Sequence, residues 1–178
     1  MFGYLVAAVW LFLPAGLANA TPVIASKLPL LKAWRTPLDG GHSYRGQRLL
    51  GDNKTVRGVV FGTAVAMLVA ALQHAAGHIT DLPALTLRQA VLAGGLMGFG
   101  ALMGDAVESF FKRQRGVKPG DGWFPFDQLD YIVGGLLLSY PVIMPSWPLI
   151  AAVVLCWFGL HIATVFVCYK LGIREKPI

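Results

Sequence analysis

Between Gly104 and Asp130 the chain collects five of its nine acidic residues, Asp105, Glu108, Asp121, Asp127 and Asp130, in or beside hydrophobic segments. Lys112, Arg113, Arg115 and Lys118 lie among them. Carboxylates are costly at membrane depth and persist there with a partner, a metal ion or water. Asp105, Glu108, Ser109 and Lys112 follow the spacing i, i+3, i+4, i+7, which a helix turns into one face. Ion pairing of Glu108 with Lys112, with the basic side chains snorkelling to the interface, accounts for those two residues alone. Asp105 lies one turn deeper and has no base one turn away on its deeper side. Asp127 and Asp130 then open the next hydrophobic segment at i and i+3. Either one could cap a helix, which is worth about 0.3–1 kcal/mol, but a cap needs only one acid. Two on one face opposite Asp105 make a three-carboxylate oxygen site. Such a site suits Mg²⁺, alone or with a second cation, and the phosphates that Mg²⁺ accompanies.

A second cluster, Gly51-Asp52-Asn53-Lys54-Thr55-Val56-Arg57-Gly58, leads into another apolar run. It lacks the spacing of a Walker A loop. A helix start with free backbone N–H groups, Lys54, Thr55 and Arg57 is nonetheless a sound phosphate site, with lipid headgroup contacts as the simpler reading of the two bases. Pro119-Gly120-Asp121-Gly122 reads as a turn that, with Lys118, could close over a nucleotide. His42, His74, His78 and His161 have no partner at metal or triad spacing and receive no role. Cys156 and Cys168 lie about 18 Å apart along one helix, beyond disulfide reach, and no further ligands make a zinc site.

The elements that must position these groups are membrane helices. The 178 residues are 56% hydrophobic, with a mean hydropathy of +0.61. That composition describes an integral membrane protein. The pattern predicts an all-α bundle of five transmembrane helices in a single membrane domain, with spans at about 2–18, 56–76, 87–111, 129–144 and 147–169. A long cytoplasmic loop is expected at about 21–55 and a catalytic cytoplasmic loop at about 112–128. Ala18-Asn19-Ala20 resembles a signal-peptidase site, but residues 1–17 hold no Lys or Arg, which favours a retained helix. Residues 23–34 read either as a short interfacial helix anchored by Trp34 or as irregular loop. Five spans with the N-terminus outside place every basic residue except Arg88 on the cytoplasmic side, C-terminus included. The net charge of +6 suits an anionic surface or substrate, and nucleic acid is not expected as a partner. The glycines at 94, 95, 98, 100 and 104 read as packing positions for a neighbouring helix.

Together the two clusters resemble the phosphatidate cytidylyltransferase (CDP-diacylglycerol synthase) family. Its signature runs Ser-x-x-Lys-Arg-x4-Lys-Asp, then a glycine-rich segment and Asp-Arg-x-Asp. Ser109, Lys112, Arg113 and Lys118 match the first part, Asp127 and Asp130 the paired aspartates, and Lys54-Thr55-Val56-Arg57-Gly58 an upstream Lys-Thr-x-x-Gly element. The match covers about residues 37–135. Pro119 replaces the signature aspartate, Gln128 the arginine between the acids, and Arg57 a glutamate usual in bacterial members. The glycine-rich insert is shortened, and the whole pattern is most similar to the archaeal branch, the CDP-archaeol synthases. The resemblance implies transfer of a cytidylyl group from CTP to 2,3-bis-O-geranylgeranyl-sn-glycerol 1-phosphate at the cytoplasmic membrane face. It implies that Asp105, Asp127 and Asp130 hold Mg²⁺. Lys112, Arg113 and Lys118 would hold the triphosphate or departing pyrophosphate, Lys54, Thr55 and Arg57 the nucleotide or the lipid phosphate, and Ser109 a phosphate oxygen. Glu108 and Asp121 would border the nucleotide. Alternatives are phosphatidic acid as acceptor, or a small ion-coupled transporter, which would carry polar groups through the bilayer midplane. The Asp-Gly-x2-Ala-Arg-x8-Gly-x3-Asp-x3-Asp string of CDP-alcohol phosphotransferases is absent.

Overall fold

Apolar runs bounded by strong start and stop residues set the helices. The computed structural model describes residues 2–77, 84–118 and 121–172. Its elements follow in the order α1 (Phe2–Lys27), α2 (Pro29–Lys32), β1 (Ser43–Tyr44), β2 (Gln47–Arg48), α3 (Val56–Ala76), α4 (Leu87–Gln114), α5 (Phe126–Ile143) and α6 (Trp147–Lys170). Among the described residues, four helices are long and apolar enough to cross a membrane: α1, α3, α4 and α6. α5 has 18 residues and reaches about 27 Å, close to the ~30 Å hydrocarbon core. Asp127, Gln128 and Asp130 in its first turns keep it out of that apolar set. The expected helix at 56–76 is found with those bounds, and α4 and α6 run slightly past theirs.

α1 departs from expectation. It continues through Pro22 to Lys27, and α2 follows at once, so the first connecting loop starts later than the expected residue 21. Proline inside a helix frees the carbonyl four residues earlier, a debt that neighbouring helices can settle in membrane proteins. For Pro14 that carbonyl belongs to Trp10, and Gln73 of α3 donates to it from Nε2 at 2.6 Å. Pro22 frees the carbonyl of Ala18, and Gly62 of α3 lies so close that a Cβ there would stand 2.9 Å from it. Ala18 itself is fully buried against Ala66 and Leu102. Of the three residues that resemble a cleavage site, Ala18 is buried, Asn19 half-buried and Ala20 exposed.

α4 is the central helix, packed chiefly against α5 and also against α3 and α1. Thr86 starts it with a capping box: its Oγ1 accepts from Gln89 N, and its own N–H donates to Gln89 Oε1. Phe12, Met97, Ile132 and Val153 fill the core where α1, α4, α5 and α6 meet. Trp157 donates from Nε1 to the Ala8 carbonyl at 3.1 Å, and the Tyr131 hydroxyl donates to the Trp157 carbonyl at 3.1 Å. The glycines of α4 bring α5 to backbone contact. A Cβ on Gly100 would strike the Gly134 carbonyl, and one on Gly104 would strike the Asp130 carbonyl. Close approach of this kind is what small residues permit between membrane helices.

The loop between α2 and α3 is a built structure. Arg45 and Gly46, both with positive φ, form the two-residue turn of the β1–β2 hairpin. The Asp39 carboxylate gathers this loop. It accepts from Gly41 N, Leu50 N, Gly51 N and Arg48 Nη2 at 2.8–3.2 Å, and only 1% of its side chain is exposed. Burial alone would raise its pKa, but the Arg48 guanidinium and the three backbone donors outweigh that and hold it well below the usual carboxylate range.

Candidate active site

The last turns of α4 carry Asp105, Glu108, Ser109 and Lys112 on one face, as their spacing requires. Glu108, Ser109 and Lys112 are buried there. With 28 residues α4 is about 42 Å long, about 12 Å more than a ~30 Å apolar core requires. α5 approaches from the other side, and the contact at Gly104 sets Asp130 against Asp105. One carboxylate oxygen from each of Asp105, Glu108 and Asp130 lies within 4.8 Å of the others. Glu108 is 7% exposed, and its Oε1 is buried without a hydrogen-bond partner. Its compensating charge is Lys112 Nζ at 3.5 Å. Three clustered carboxylates, one of them buried, with no imidazole or thiolate among them, fit a hard divalent cation.

Two lysines flank this trio. Lys54 Nζ lies 2.5 Å from Asp105 Oδ2 and ties the segment before α3 to α4 across 51 residues of sequence. Lys112 Nζ lies 2.6 Å from Asp127 Oδ1. Asp127 Oδ2 in turn accepts from the Trp123 backbone N–H at 2.6 Å, which closes the turn into α5. Of the three ligands expected from sequence, Asp105 and Asp130 thus stand in the oxygen cluster. The third member is Glu108, while Asp127 adjoins Glu108 and holds Lys112. The physical reason is axial position: Asp127 and Asp130 share a face of α5 but lie about 4.5 Å apart along it, and the Asp130 backbone is level with the Gly104 contact.

A cavity of about 870 Å³ opens over this face, large enough for a nucleotide. All the sequence-selected residues line it except Thr55 and Arg57. Arg113 also donates to the Lys118 carbonyl at 3.4 Å. Lys118 and Asp121 border the cavity, while Pro119 and Gly120 of the expected turn lie outside the described residues. Thr55 Oγ1 accepts from Gly58 N at 3.2 Å and caps α3. Arg57 is buried with it at a second, adjoining cavity. The hairpin residues Gly46, Gln47 and Arg48 and the α6 residue His161 line the nucleotide-sized cavity too, although their sequence context singles out none of them. The pair Arg45-Gly46 was the available signal for the hairpin turn. His161 carries no local signal, since its ring reaches the site by lying 5.6 Å from that of Tyr131 on α5.

A membrane-embedded helical protein with clustered carboxylates beneath a basic, nucleotide-sized cavity has the attributes of an intramembrane phosphate-transfer enzyme. Known proteins narrow the class. The family model described as CarS-like, CDP-archaeol synthase, matches residues 1–178. A CDP-archaeol synthase of Halobacterium salinarum is 36% identical over 99% of this chain and 98% of its own length. One from Thermococcus gammatolerans is 38% identical over 96% of this chain and 94% of its own. A solved structure described as an intramembrane enzyme for archaeal membrane lipid biosynthesis superposes with a TM-score of 0.74. It is 31% identical and covers 90% of this chain and 93% of its own. The chain belongs to the CDP-archaeol synthase family.

Proposed function

We propose that this protein transfers a cytidylyl group from CTP to an isoprenoid glycerol ether phosphate, yielding unsaturated CDP-archaeol and pyrophosphate. The observation that carries the reading is the oxygen cluster of Asp105, Glu108 and Asp130 in the wall of a cavity that also presents Lys54, Lys112, Arg113 and Lys118. End-to-end similarity to CDP-archaeol synthases supports the choice of substrates. The chain is a single membrane domain in which α5 is a fifth span, with the N-terminus outside. The site then faces the cytoplasm, as the one-sided distribution of Lys and Arg favours.

In this reading Asp105, Glu108 and Asp130 would hold Mg²⁺, while Asp127 stays paired with Lys112. When bound, Mg²⁺ supplies neutralisation of the triphosphate charge and of the departing pyrophosphate. A lipid phosphate oxygen attacks the α-phosphorus of CTP in line. The bond from that phosphorus to the bridging oxygen breaks, and pyrophosphate leaves. The nucleophile is already ionised, so the protein needs no covalent nucleophile of its own, and positioning with charge stabilisation carries the rate. Lys112, Arg113 and Lys118 bind the β- and γ-phosphates, Ser109 orients a phosphate oxygen, and Asp127 fixes the Lys112 ammonium. Lys54 is held by Asp105 where donor and acceptor would meet. Asp121 borders the nucleotide.

The test is turnover by the purified protein in detergent with Mg²⁺ and labelled CTP, offered geranylgeranyl ether phosphate and phosphatidic acid separately. A chelator-sensitive CDP-lipid formed preferentially from the ether lipid is expected. Folded protein that makes no CDP-lipid from either acceptor would overturn the assignment.

A further inference from the structure

A second cavity, of about 980 Å³, lies between α1, α3 and α4. It meets the nucleotide-sized cavity at Lys54 and Asp105, which line both. Pro22, Val23, Val59 and Leu102 give its lining apolar surface, and Arg35 and Arg57 bring positive charge to it. Backbone pairing of two segments brings the chain before Thr36 beside the chain after Val56: Leu38 N donates to Lys54 O at 2.7 Å, and Val56 N to Thr36 O at 3.0 Å.

Arg57 is the anomaly. It is only 5% exposed, yet among the described residues no carboxylate pairs with it. Nη1 donates to the Leu31 carbonyl at 2.7 Å, and Nε is buried without a partner. Lys54, Lys112 and Arg48 each have an acidic partner. A buried cation without a counter-ion is strongly unfavourable, and guanidinium is the group best shaped to receive a phosphate through paired N–H donors. Arg35 likewise has no acidic partner among the described residues; its Nε donates to the Lys32 carbonyl. The site also sits at the first turn of the 21-residue α3, where the helix dipole adds positive potential.

From this geometry we infer that the cavity between α1, α3 and α4 is the acceptor site, where Arg57 and Arg35 bind the phosphate monoester of the lipid and the apolar lining takes its glycerol ether. The inference rests on the proposed cytidylyl transfer and divides the machinery. Lys112, Arg113 and Lys118 serve the nucleotide, Arg35 and Arg57 the acceptor, and Lys54 with Asp105 marks the junction at which the two phosphates come together.

The test is steady-state kinetics of the full chain in mixed micelles, each substrate varied at saturation of the other. Arg57→Gln should raise the KM for the ether lipid phosphate about 10- to 100-fold, the loss expected from a charge-assisted hydrogen bond, and leave the KM for CTP within about twofold. Arg57→Lys should recover part of the loss. Arg35→Gln, at an exposed position that does not threaten folding, should show the same selective rise on a smaller scale. Inorganic phosphate should compete with the lipid phosphate and not with CTP, whereas vesicles of anionic lipid lacking a phosphate monoester should not compete. A rise in the KM for CTP alone, or an acceptor KM unchanged by both Arg57→Gln and Arg35→Gln, overturns the inference. If wild type makes no CDP-lipid, the functional reading falls. Stabilisation of that protein by a dialkylglycerol phosphate, lost in Arg57→Gln, would still support the phosphate site, and no stabilisation would remove it.

Discussion

The approach of α5 to α4 at Gly104 can be tested by adding a single methyl group. In Gly104→Ala the new Cβ would overlap the Asp130 carbonyl and stand 3.3 Å from the Gly134 Cα. A carbon–oxygen contact needs about 3.3–3.6 Å, so α5 must retreat by on the order of 1 Å. Overpacking of this kind costs about 1–3 kcal/mol, which a bundle with this much α4–α5 contact can absorb without unfolding. The site is more sensitive than the fold. Asp130 moves with α5 while Asp105 and Glu108 stay with α4, and the three oxygens now lie within 4.8 Å. A misplacement of about 1 Å in such a constellation costs on the order of 10²-fold in rate. The assay is Mg²⁺-dependent CDP-lipid formation, with helical content followed by circular dichroism and the Mg²⁺ midpoint measured alongside. Turnover should fall about 100-fold and the Mg²⁺ midpoint should rise, with helicity unchanged. Gly159→Ala on α6 is the control, since a Cβ there meets nothing within 4 Å, and its activity should stay within about twofold. Wild-type turnover and Mg²⁺ midpoint in Gly104→Ala would refute the claim that this glycine contact aligns the carboxylates.

Further substitutions separate the roles of neighbouring groups. Glu108→Gln should raise the Mg²⁺ concentration for half-maximal activity by about tenfold or more, whereas Asp127→Asn should lower turnover by loosening Lys112 with little change in that midpoint. Equal shifts of the Mg²⁺ midpoint in both would return Asp127 to the primary ligand set. Gln73→Leu leaves the Trp10 carbonyl, freed by Pro14, without its donor and should cost about 1–3 kcal/mol in detergent unfolding; an unchanged transition would show that the carbonyl finds another partner. Asp39 has a folded-state pKa below its unfolded one, so its contribution is present at neutral pH and is lost as pH falls below about 4. Limited proteolysis should therefore cut the 39–53 loop faster in acid, and Asp39→Asn should be cut as fast at pH 7. Resistance of the variant at neutral pH would mean that the carboxylate does not hold the hairpin.

Hydropathy was enough to read four of the five expected spans as helices long and apolar enough to cross a membrane, because a span needs only length and apolarity, and α3 came out with its bounds intact. The fate of α1 was not legible. The carbonyl that Pro22 frees packs against Gly62, about forty residues away, a contact that no local pattern reveals. Within the site, helical spacing alone put Asp105, Glu108, Ser109 and Lys112 on one face, since those positions share a single rigid element. Their roles were another matter. The axial register of α5 on α4, set at the Gly104–Asp130 contact, decided that Glu108 joins the oxygen cluster and that Asp127 binds Lys112. The chain folding back decided that Lys54 reaches Asp105, that His161 borders the cavity, and that Arg57 is buried with no ion pair to an acid among the described residues. Local pattern determines which side chains share an element and a face; distances between elements arise only from packing, and the chemistry of this site depends on those distances.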